Sequence, residues 1–305
     1  MKGLLQVLIH VLSLSLIISQ DYPKKKFYKR EKHAAKIMGR DDRKYGDHSG
    51  NRVLCRFYNH GSIGDQSSSF SGVYPIGSGH SYIWEFSPVV AASVVDTNGF
   101  RRHIVSDGIS GLVDASPEGT PWSFEPLSGY SNPNQENLAM SDNQNSWPNS
   151  WPNRTEDWNG EWNGQYGKYV RADQESYFVV DDRYNSEFEF WPDQNDIPED
   201  PTVSPDEHRR GLGIEMEARG YQWNHPAAED IIIVTYWITN VGSSVLDSVV
   251  FGMYGDADIG GASSFSDDDA WFDTENDMVY QWDHDNWSSS YGGFRPAYFC
   301  LLYTS

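Results

Sequence analysis

An apolar, β-branched run at residues 230–239 (DIIIVTYWIT) constrains the fold of this chain more than any other feature. Runs of this kind are typical of central strands, because both faces of such a strand are buried. Before it, apolar and charged residues alternate from Leu212 to Arg219, and after it Asn240-Val241-Gly242 turns the chain into a third segment, Val245 to Tyr254. The sequence therefore predicts three neighbouring antiparallel strands, as in a β-sandwich.

The rest of the chain extends this β pattern and adds a long polar excursion. Short strand patterns, separated by turns that contain Gly and Asn, recur between residues 51 and 105. Residues 113–208 are instead rich in Asn, Asp, Pro, Gly and Trp and show no helical periodicity. Disordered segments are poor in aromatic residues, so we expect a structured loop held by its tryptophans. The predicted fold class is mainly β: an antiparallel, immunoglobulin-like β-sandwich with long Trp/Asn/Asp-rich loops.

The N-terminus has the pattern of an export signal. Met1 and Lys2 form a short positive region, an apolar stretch runs from Leu4 to Ile18, and Ser19-Gln20 offers a small residue for cleavage. The stretch is shorter than the about 20 apolar residues that a membrane-spanning helix needs. We therefore expect an exported protein with no transmembrane segment after signal cleavage. An uncleaved anchor is the alternative, because the basic residues that follow resist translocation.

Charge is unevenly distributed along the chain. Residues 24–44 hold ten of the 23 Lys and Arg, whereas 12 basic and 40 acidic side chains lie from residue 45 onward. This balance argues against nucleic acid as a partner, because nucleic-acid binding relies on Lys and Arg at the phosphates. It favours solubility and cation binding. The basic segment is predicted to be a solvated, flexible arm, with contact to anionic lipid or polysaccharide as the alternative.

The last six residues, CLLYTS, resemble the translation of an adapter used in DNA-library preparation. The resemblance implies that residues 300–305 are not native and that the natural protein continues beyond residue 299. Cys55 is then the single cysteine, which excludes a disulfide framework. The predicted organisation is a signal peptide (1–19), a basic flexible arm (20–50), a β-rich region with the aromatic excursion (51–207), a truncated immunoglobulin-like sandwich region (208–299) and the non-native end (300–305).

An acidic stretch after the third predicted strand is the candidate metal site. Calcium takes roughly six to eight oxygen ligands. The helix-loop-helix calcium motif does not fit, because a strand precedes the stretch and Asp267 stands where that motif has Glu. Clustered carboxylates repel each other without a counter-charge, so we expect a Ca²⁺ loop of another geometry, with a solvated acidic turn as the alternative. The expected ligands are Asp256, Asp258, Asp267, Asp268, Asp269 and Asp273.

Two short repeats, WPN twice and WNG twice, supply the candidate ligand-binding residues. These are Trp147, Trp151, Trp158 and Trp162. They could form a platform on which the sugar rings of a polysaccharide stack. The interpretation that we favour is that they pin the loops onto the sheet, since most tryptophans are largely buried. The sequence has no nucleophile elbow, zinc-protease, paired Cys-x-x-Cys or phosphate-loop motif, so no catalytic residue is predicted.

Several segments resemble known groups of proteins. Residues 231–242 (IIIVTYWITNVG) resemble a strand and turn of immunoglobulin-like repeats in bacterial surface proteins. The signal followed by QDY, with NHGSIG at 59–64, WNGEW at 158–162 and FGMYGD at 251–256, resembles large, uncharacterised exported proteins of environmental Gram-negative bacteria. Such proteins often end in a sorting domain for type IX secretion or a similar route. The resemblance implies a location outside the cell and implies no activity.

These observations together predict an exported, non-catalytic cell-surface or extracellular β protein, stabilised by calcium and part of a larger protein. Two alternatives stay open. One is a carbohydrate-binding module, and the other is the N-terminal part of a carbohydrate-active enzyme.

Overall fold

The computed structural model describes residues 8–14, 42–65, 70–110, 115, 122–196, 208–261 and 264–304, and β-strands dominate them. The strands are β1 (Leu8–Leu14), β2 (Tyr45–His48), β3 (Cys55–Tyr58), β4 (Ile83–Val95), β5 (Arg101–Asp107), β6 (Glu125–Pro126), β7 (Ala139–Met140), β8 (Gln174–Asp181), β9 (Ile214–Gln222), β10 (Ile231–Asn240), β11 (Asp247–Ala257), β12 (Asp268–Asp273), β13 (Met278–Asp283) and β14 (Tyr298–Thr304). The prediction of a mainly β fold is confirmed.

Helical structure in the described residues is limited to short 3₁₀ turns. They lie at Gln144–Ser146, Glu156–Trp158, Gln194–Asp196, Phe265–Asp267 and Ser290–Gly292. Across the same residues, no helix has the length and apolar character that crossing a membrane requires.

The strands form a large sheet, a small sheet and a separate pair. The large sheet has nine strands in the order β12-β13-β14-β1-β10-β9-β8-β6, with β7 also paired to β8. The small sheet has the order β11-β4-β5, and β2 pairs with β3. β1 runs parallel to β10 and β14, whereas the other pairs are antiparallel. The predicted antiparallel character therefore holds for most of the fold.

The strand after the 230–239 run does not return beside it. β9 and β10 are antiparallel neighbours as predicted, but β11 pairs with β4 in the small sheet. No hairpin forms between β10 and β11, because the turn after β10 bonds to other segments. The Val241 N–H donates to the Gly213 carbonyl at 2.8 Å, and the Ser243 N–H donates to the Pro192 carbonyl at 2.7 Å. The prediction of three adjacent strands is therefore wrong for β11.

The two sheets share one hydrophobic core. Phe86 of β4 and Phe299 of β14 belong to it, with their ring centroids 4.9 Å apart. The pairs β4–β11 and β8–β9 join strands from either side of the boundary predicted at residue 208. Residues 51–207 and 208–299 therefore share sheets and a core, because their strands complete one another's hydrogen bonding.

The end of the predicted basic arm belongs to the fold. Residues 45–48 form β2 and pair with β3. Just before this strand, the Arg43 guanidinium donates to both carboxylate oxygens of the buried Glu125, at 3.0 and 2.7 Å. The prediction of a flexible arm is therefore wrong for residues 42–50, whose contacts hold them on the core. Residues 20–41 lie outside the described residues.

Both segments that were predicted to be absent from the mature or natural protein contribute strands to the large sheet. β1 covers residues 8–14 of the predicted signal peptide, and the rest of that peptide lies outside the described residues. β14 contains Cys300 and Leu301, both buried. β1 lies between β10 and β14. Signal cleavage and the foreign origin of residues 300–305 stay predictions.

Candidate functional site

Acidic side chains from neighbouring loops meet at one end of β12 and β13. Asp268, the first residue of β12, lies opposite Asp283, the last residue of β13. Carboxylate oxygens of Asp267, Asp283 and Asp285 lie within 4.8 Å of one another. Asp258, in the loop after β11, adds its negative charge near Asp268. We call Asp258, Asp267, Asp268, Asp283 and Asp285 the acidic cluster.

Asp268 has an unfavourable environment within the acidic cluster. Its Oδ2 accepts a hydrogen bond from the Ile259 N–H at 2.9 Å, whereas Oδ1 is shielded from solvent and has no hydrogen-bond partner among the described residues. Burial raises the pKa of Asp268 to about 7, and the charges of Asp258, Asp283 and Asp267 act in the same direction. A cation beside such a carboxylate would stabilise its charged form.

Two carboxylates of the acidic cluster are held in place by the loop that follows β13. Asp283 is 3% exposed and accepts hydrogen bonds from the Ser264 hydroxyl at 3.0 Å and from the Trp287 N–H at 2.9 Å. The Trp287 N–H also donates to Asp285, at 2.8 Å. Sequence reasoning missed Asp283 and Asp285. The available signal was their position on either side of His284, two acids one residue apart after a strand pattern.

The structure brings together three of the six predicted metal ligands, Asp258, Asp267 and Asp268, and places a fourth beside them. Asp256, on β11 opposite Glu85, adjoins the acidic cluster, because its charge helps to raise the pKa of Asp258 after the larger effect of burial. The Tyr254 hydroxyl donates to Asp256 at 3.3 Å. Asp256 therefore stands at the margin of the acidic cluster, toward the small sheet.

The other two predicted ligands serve local structure instead. Asp269 contacts the ring of His284, with 2.7 Å between Oδ2 and Nδ1, and alternation along β12 turns it to the face opposite Asp268. Asp273 lies at the far end of β12 and accepts bonds from the Glu275 and Asn276 N–H groups at 2.9 and 3.2 Å. Asp273 therefore lies away from the cluster, and Asp269 is engaged by His284 beside it. Their role as ligands stays a prediction.

The four candidate tryptophans hold the long excursion against the outer face of the large sheet. Trp151 and Trp162 are 3% and 2% exposed and pack with Tyr177 of β8. The Trp162 indole donates to the buried Glu175 carboxylate at 2.7 Å. Neither ring has a face available to a sugar, so the platform hypothesis is wrong for these two residues. Their burial agrees with the pinning interpretation.

Trp147 and Trp158 are only partly buried, and both pack on the same cluster. The Trp147 indole N–H donates to the Met140 carbonyl at 2.7 Å, and its ring lies 5.3 Å from that of Trp162. The guanidinium of Arg154 lies over the Trp158 ring at 4.3 Å. Protein groups thus occupy the contacts that a stacking platform would need.

A cleft of about 330 Å³ lies where the turn at residues 59–65 meets the start of β4. We call it the NHGSIG cleft, after the turn sequence that lines it. The side chains that matter for its chemistry are Tyr58, His60, Ser62, Trp84, Glu85 and Ser110. They come from three separate stretches of sequence, so the cleft exists only in the folded chain.

Glu85 is the most deeply buried charged group of the NHGSIG cleft, at 1% exposure. Its Oε1 accepts hydrogen bonds from the hydroxyls of Ser62, Ser87 and Ser110 at 2.8, 2.9 and 3.0 Å. The Ser110 N–H donates to the same oxygen at 2.6 Å. Donors from three segments therefore fix this carboxylate in one position.

The turn can lie flat on β4 because two of its residues are glycines with positive φ. Gly61 has φ of +116° and Gly64 has φ of +106°, conformations that residues with a Cβ rarely adopt. A Cβ at Gly64 would lie 2.9 Å from the Trp84 carbonyl oxygen. Sequence reasoning used NHGSIG only as part of a resemblance; its two glycines around polar residues were the available signal for a tight, structured turn.

Comparison with known proteins adds nothing to these observations. No family model matches the chain, and no curated protein or solved structure matches it.

Proposed function

We propose that this chain is an exported, non-catalytic extracellular or cell-surface β protein that binds Ca²⁺ at the acidic cluster. The observation that carries the proposal is the convergence of Asp258, Asp267 and Asp283 on Asp268, whose Oδ1 is shielded, with Asp285 close to Asp267 and Asp283. These acids come from the loop after β11, from the start of β12 and the turn before it, and from the end of β13 and the loop after it. A cation bound among them would hold the three elements together.

Calcium suits this arrangement better than magnesium does. Calcium accepts roughly six to eight oxygens in irregular geometries, whereas magnesium demands a near-ideal octahedron and gives up its water reluctantly. Asp285 is exposed, and Asp258, Asp267 and Asp268 are partly exposed, so water can complete the coordination. Extracellular modules bind calcium with Kd values of about 10⁻⁴–10⁻³ M, and we expect the same range here.

Thermal unfolding with chelator, calcium or magnesium tests this proposal. Calcium at a hundredfold excess over Kd stabilises a folded protein by about 2.7 kcal/mol, so the melting temperature should rise with calcium and less with magnesium. In the double variant Asp267→Asn with Asp285→Asn, calcium should no longer raise it. Both side chains are at least partly exposed, so the variant should still fold.

The matched control is Asp269→Asn with Asp273→Asn, which removes two acids from the same hairpin but outside the acidic cluster. This control should keep the calcium response of the wild type. If the melting temperature of the wild type is the same in chelator, calcium and magnesium, the site does not exist and the cluster is a solvated turn.

The wider assignment rests on the sequence and on the two-sheet packing. The apolar segment at Leu4 to Ile18 supports export, and the similarity of several motifs to exported Gram-negative proteins supports a cell-surface or extracellular location. Two largely antiparallel sheets around one core support an immunoglobulin-like sandwich. A carbohydrate-binding module or part of a carbohydrate-active enzyme is the alternative, but burial of Trp151 and Trp162 removes the platform that suggested it.

A further inference from the structure

We propose that the NHGSIG cleft binds a neutral mono- or disaccharide. The proposal does not depend on calcium binding, because the cleft and the acidic cluster have no residue in common. A volume of about 330 Å³ is near the lower end of the roughly 300–1,000 Å³ typical of ligand pockets. The cleft therefore suits one or two sugar rings.

The positive groups at the NHGSIG cleft are already engaged by the protein. Arg43 binds both oxygens of Glu125. The ammonium of Lys44 donates to the backbone carbonyls of Asn132 and Gln135, the latter at 2.6 Å. A phosphate or carboxylate ligand would have to displace these contacts, so the cleft does not favour an anion.

The negative groups at the NHGSIG cleft are engaged as well. Glu85 receives the four hydrogen bonds described above, and Asp65 forms an ion pair with Arg56 at 3.0 Å. Arg56 is itself placed over the ring of Tyr45, 4.0 Å from its centroid. Each of these charges already has a partner within the protein, so a cation would form few new favourable contacts in the cleft. An uncharged ligand is therefore the best fit to its electrostatics.

The remaining lining groups suit hydroxyl-rich ligands. The hydroxyl protons of Ser62 and Ser110 point to Glu85, so the two oxygens remain as acceptors for the hydroxyl groups of a sugar. The Tyr58 phenol is protonated at neutral pH, because burial raises a pKa that is ordinarily about 10, and it can donate or accept a hydrogen bond. The partly exposed Trp84 offers an apolar ring against which the C–H face of a sugar can pack.

The cleft wall is rigid before any ligand arrives. Ile63 and Phe86 exchange two backbone hydrogen bonds, at 2.7 and 2.8 Å, which attach the turn to β4. On the other side, the Lys44 N–H donates to the Asn59 side chain at 2.7 Å and holds the segment before β2 against the turn. A site that is already ordered loses little conformational entropy on binding, which favours even a small ligand.

The test is isothermal titration calorimetry of the purified protein with neutral mono- and disaccharides of glucose, galactose, mannose, xylose and N-acetylglucosamine. Galacturonate and glucosamine are the charged comparisons. We expect saturable binding of at least one neutral sugar at one site per chain, equal in calcium and in chelator. Trp84→Ala should weaken that binding at least about tenfold, since it removes the ring that packs on the sugar.

Trp271→Ala is the matched control, because Trp271 is 68% exposed on β12 and lies outside the cleft. This variant should bind as the wild type does. Ser110→Ala is the second cleft variant, for use if Trp84→Ala does not fold, and it should weaken binding several-fold. The proposal is overturned if no neutral sugar binds, if a charged sugar binds more tightly, or if folded cleft variants bind unchanged.

Discussion

At the scale of single residues, Asp268 links the fold to its ionic surroundings. Its Oδ1 is shielded and has no hydrogen-bond partner in the described part of the chain, and burial raises its pKa to about 7. An unfolded Asp has a pKa of about 3.9. At a pH between these two pKa values, Asp268 is protonated in the folded state and has lost its proton in the unfolded state. Without a cation, the contribution of Asp268 to stability therefore falls as the pH rises from about 4 to about 7.

We expect Asp268→Asn to reduce the loss of stability across this pH window. In chelator, the wild type should lose stability across that pH window and stay at the lower level above it, whereas the variant should change less. In calcium at neutral pH the order should reverse, because the variant lacks a ligand. Melting temperatures at pH 4 to 8, with and without calcium, measure both effects. Parallel pH curves for the two proteins in chelator would show that Asp268 has an ordinary carboxylate in the folded state.

At the scale of elements, residues 127–173 of the excursion cover part of the large sheet. Trp151, Trp162 and Tyr177 form a second hydrophobic cluster with Leu127 and Val179. Arg219 of β9 lies beneath it, 2% exposed, with its guanidinium 3.8 Å from the centroid of the Tyr177 ring. Packing of the tryptophans thus attaches this stretch to the sheet, although it has little regular secondary structure of its own.

We expect Trp162→Ala to cost about 3–5 kcal/mol of unfolding free energy, as truncation of a core aromatic does. It also leaves the buried Glu175 without its indole donor. Trp271→Ala, which removes the same side chain from an exposed strand, should change stability by about 0.5 kcal/mol or less. Urea denaturation of the two variants gives the comparison. Equal stabilities would mean that the excursion does not depend on its tryptophans.

At the scale of the whole molecule, the N-terminal segment has two possible places. The sequence predicts that residues 1–19 direct export and are removed. In the full chain, residues 8–14 form β1 and pair with both β10 and β14. Removal would expose the edges of two strands, so processing and the final arrangement of the large sheet are coupled.

We expect the protein recovered from a Gram-negative host to begin near Gln20. Intact-mass measurement of the exported fraction identifies its first residue. A variant with Leu8→Arg and Leu12→Arg, which breaks the apolar region that export requires, should stay in the cell with its full mass. A soluble cytoplasmic wild-type product that keeps residues 1–19 would contradict the prediction.

The sequence by itself determined the features that depend on neighbouring residues. Alternation and β-branched runs predicted β9 and β10, and composition predicted that the excursion is held by tryptophans. The acidic stretch predicted that Asp258, Asp267 and Asp268 lie close together, as they do in the acidic cluster. Each of these features follows from local periodicity or local charge, which the chain carries before it folds.

Only the tertiary structure decided which distant segments meet. It paired β11 with β4, set Asp268 opposite Asp283 and assembled the NHGSIG cleft from four stretches of sequence. A strand pattern specifies which face is buried, but it does not specify the partner, because any strand edge offers the same backbone groups. The partner is selected by the packing of the whole core and by long-range hydrogen bonds such as that from Ser243 to Pro192, which no local pattern encodes.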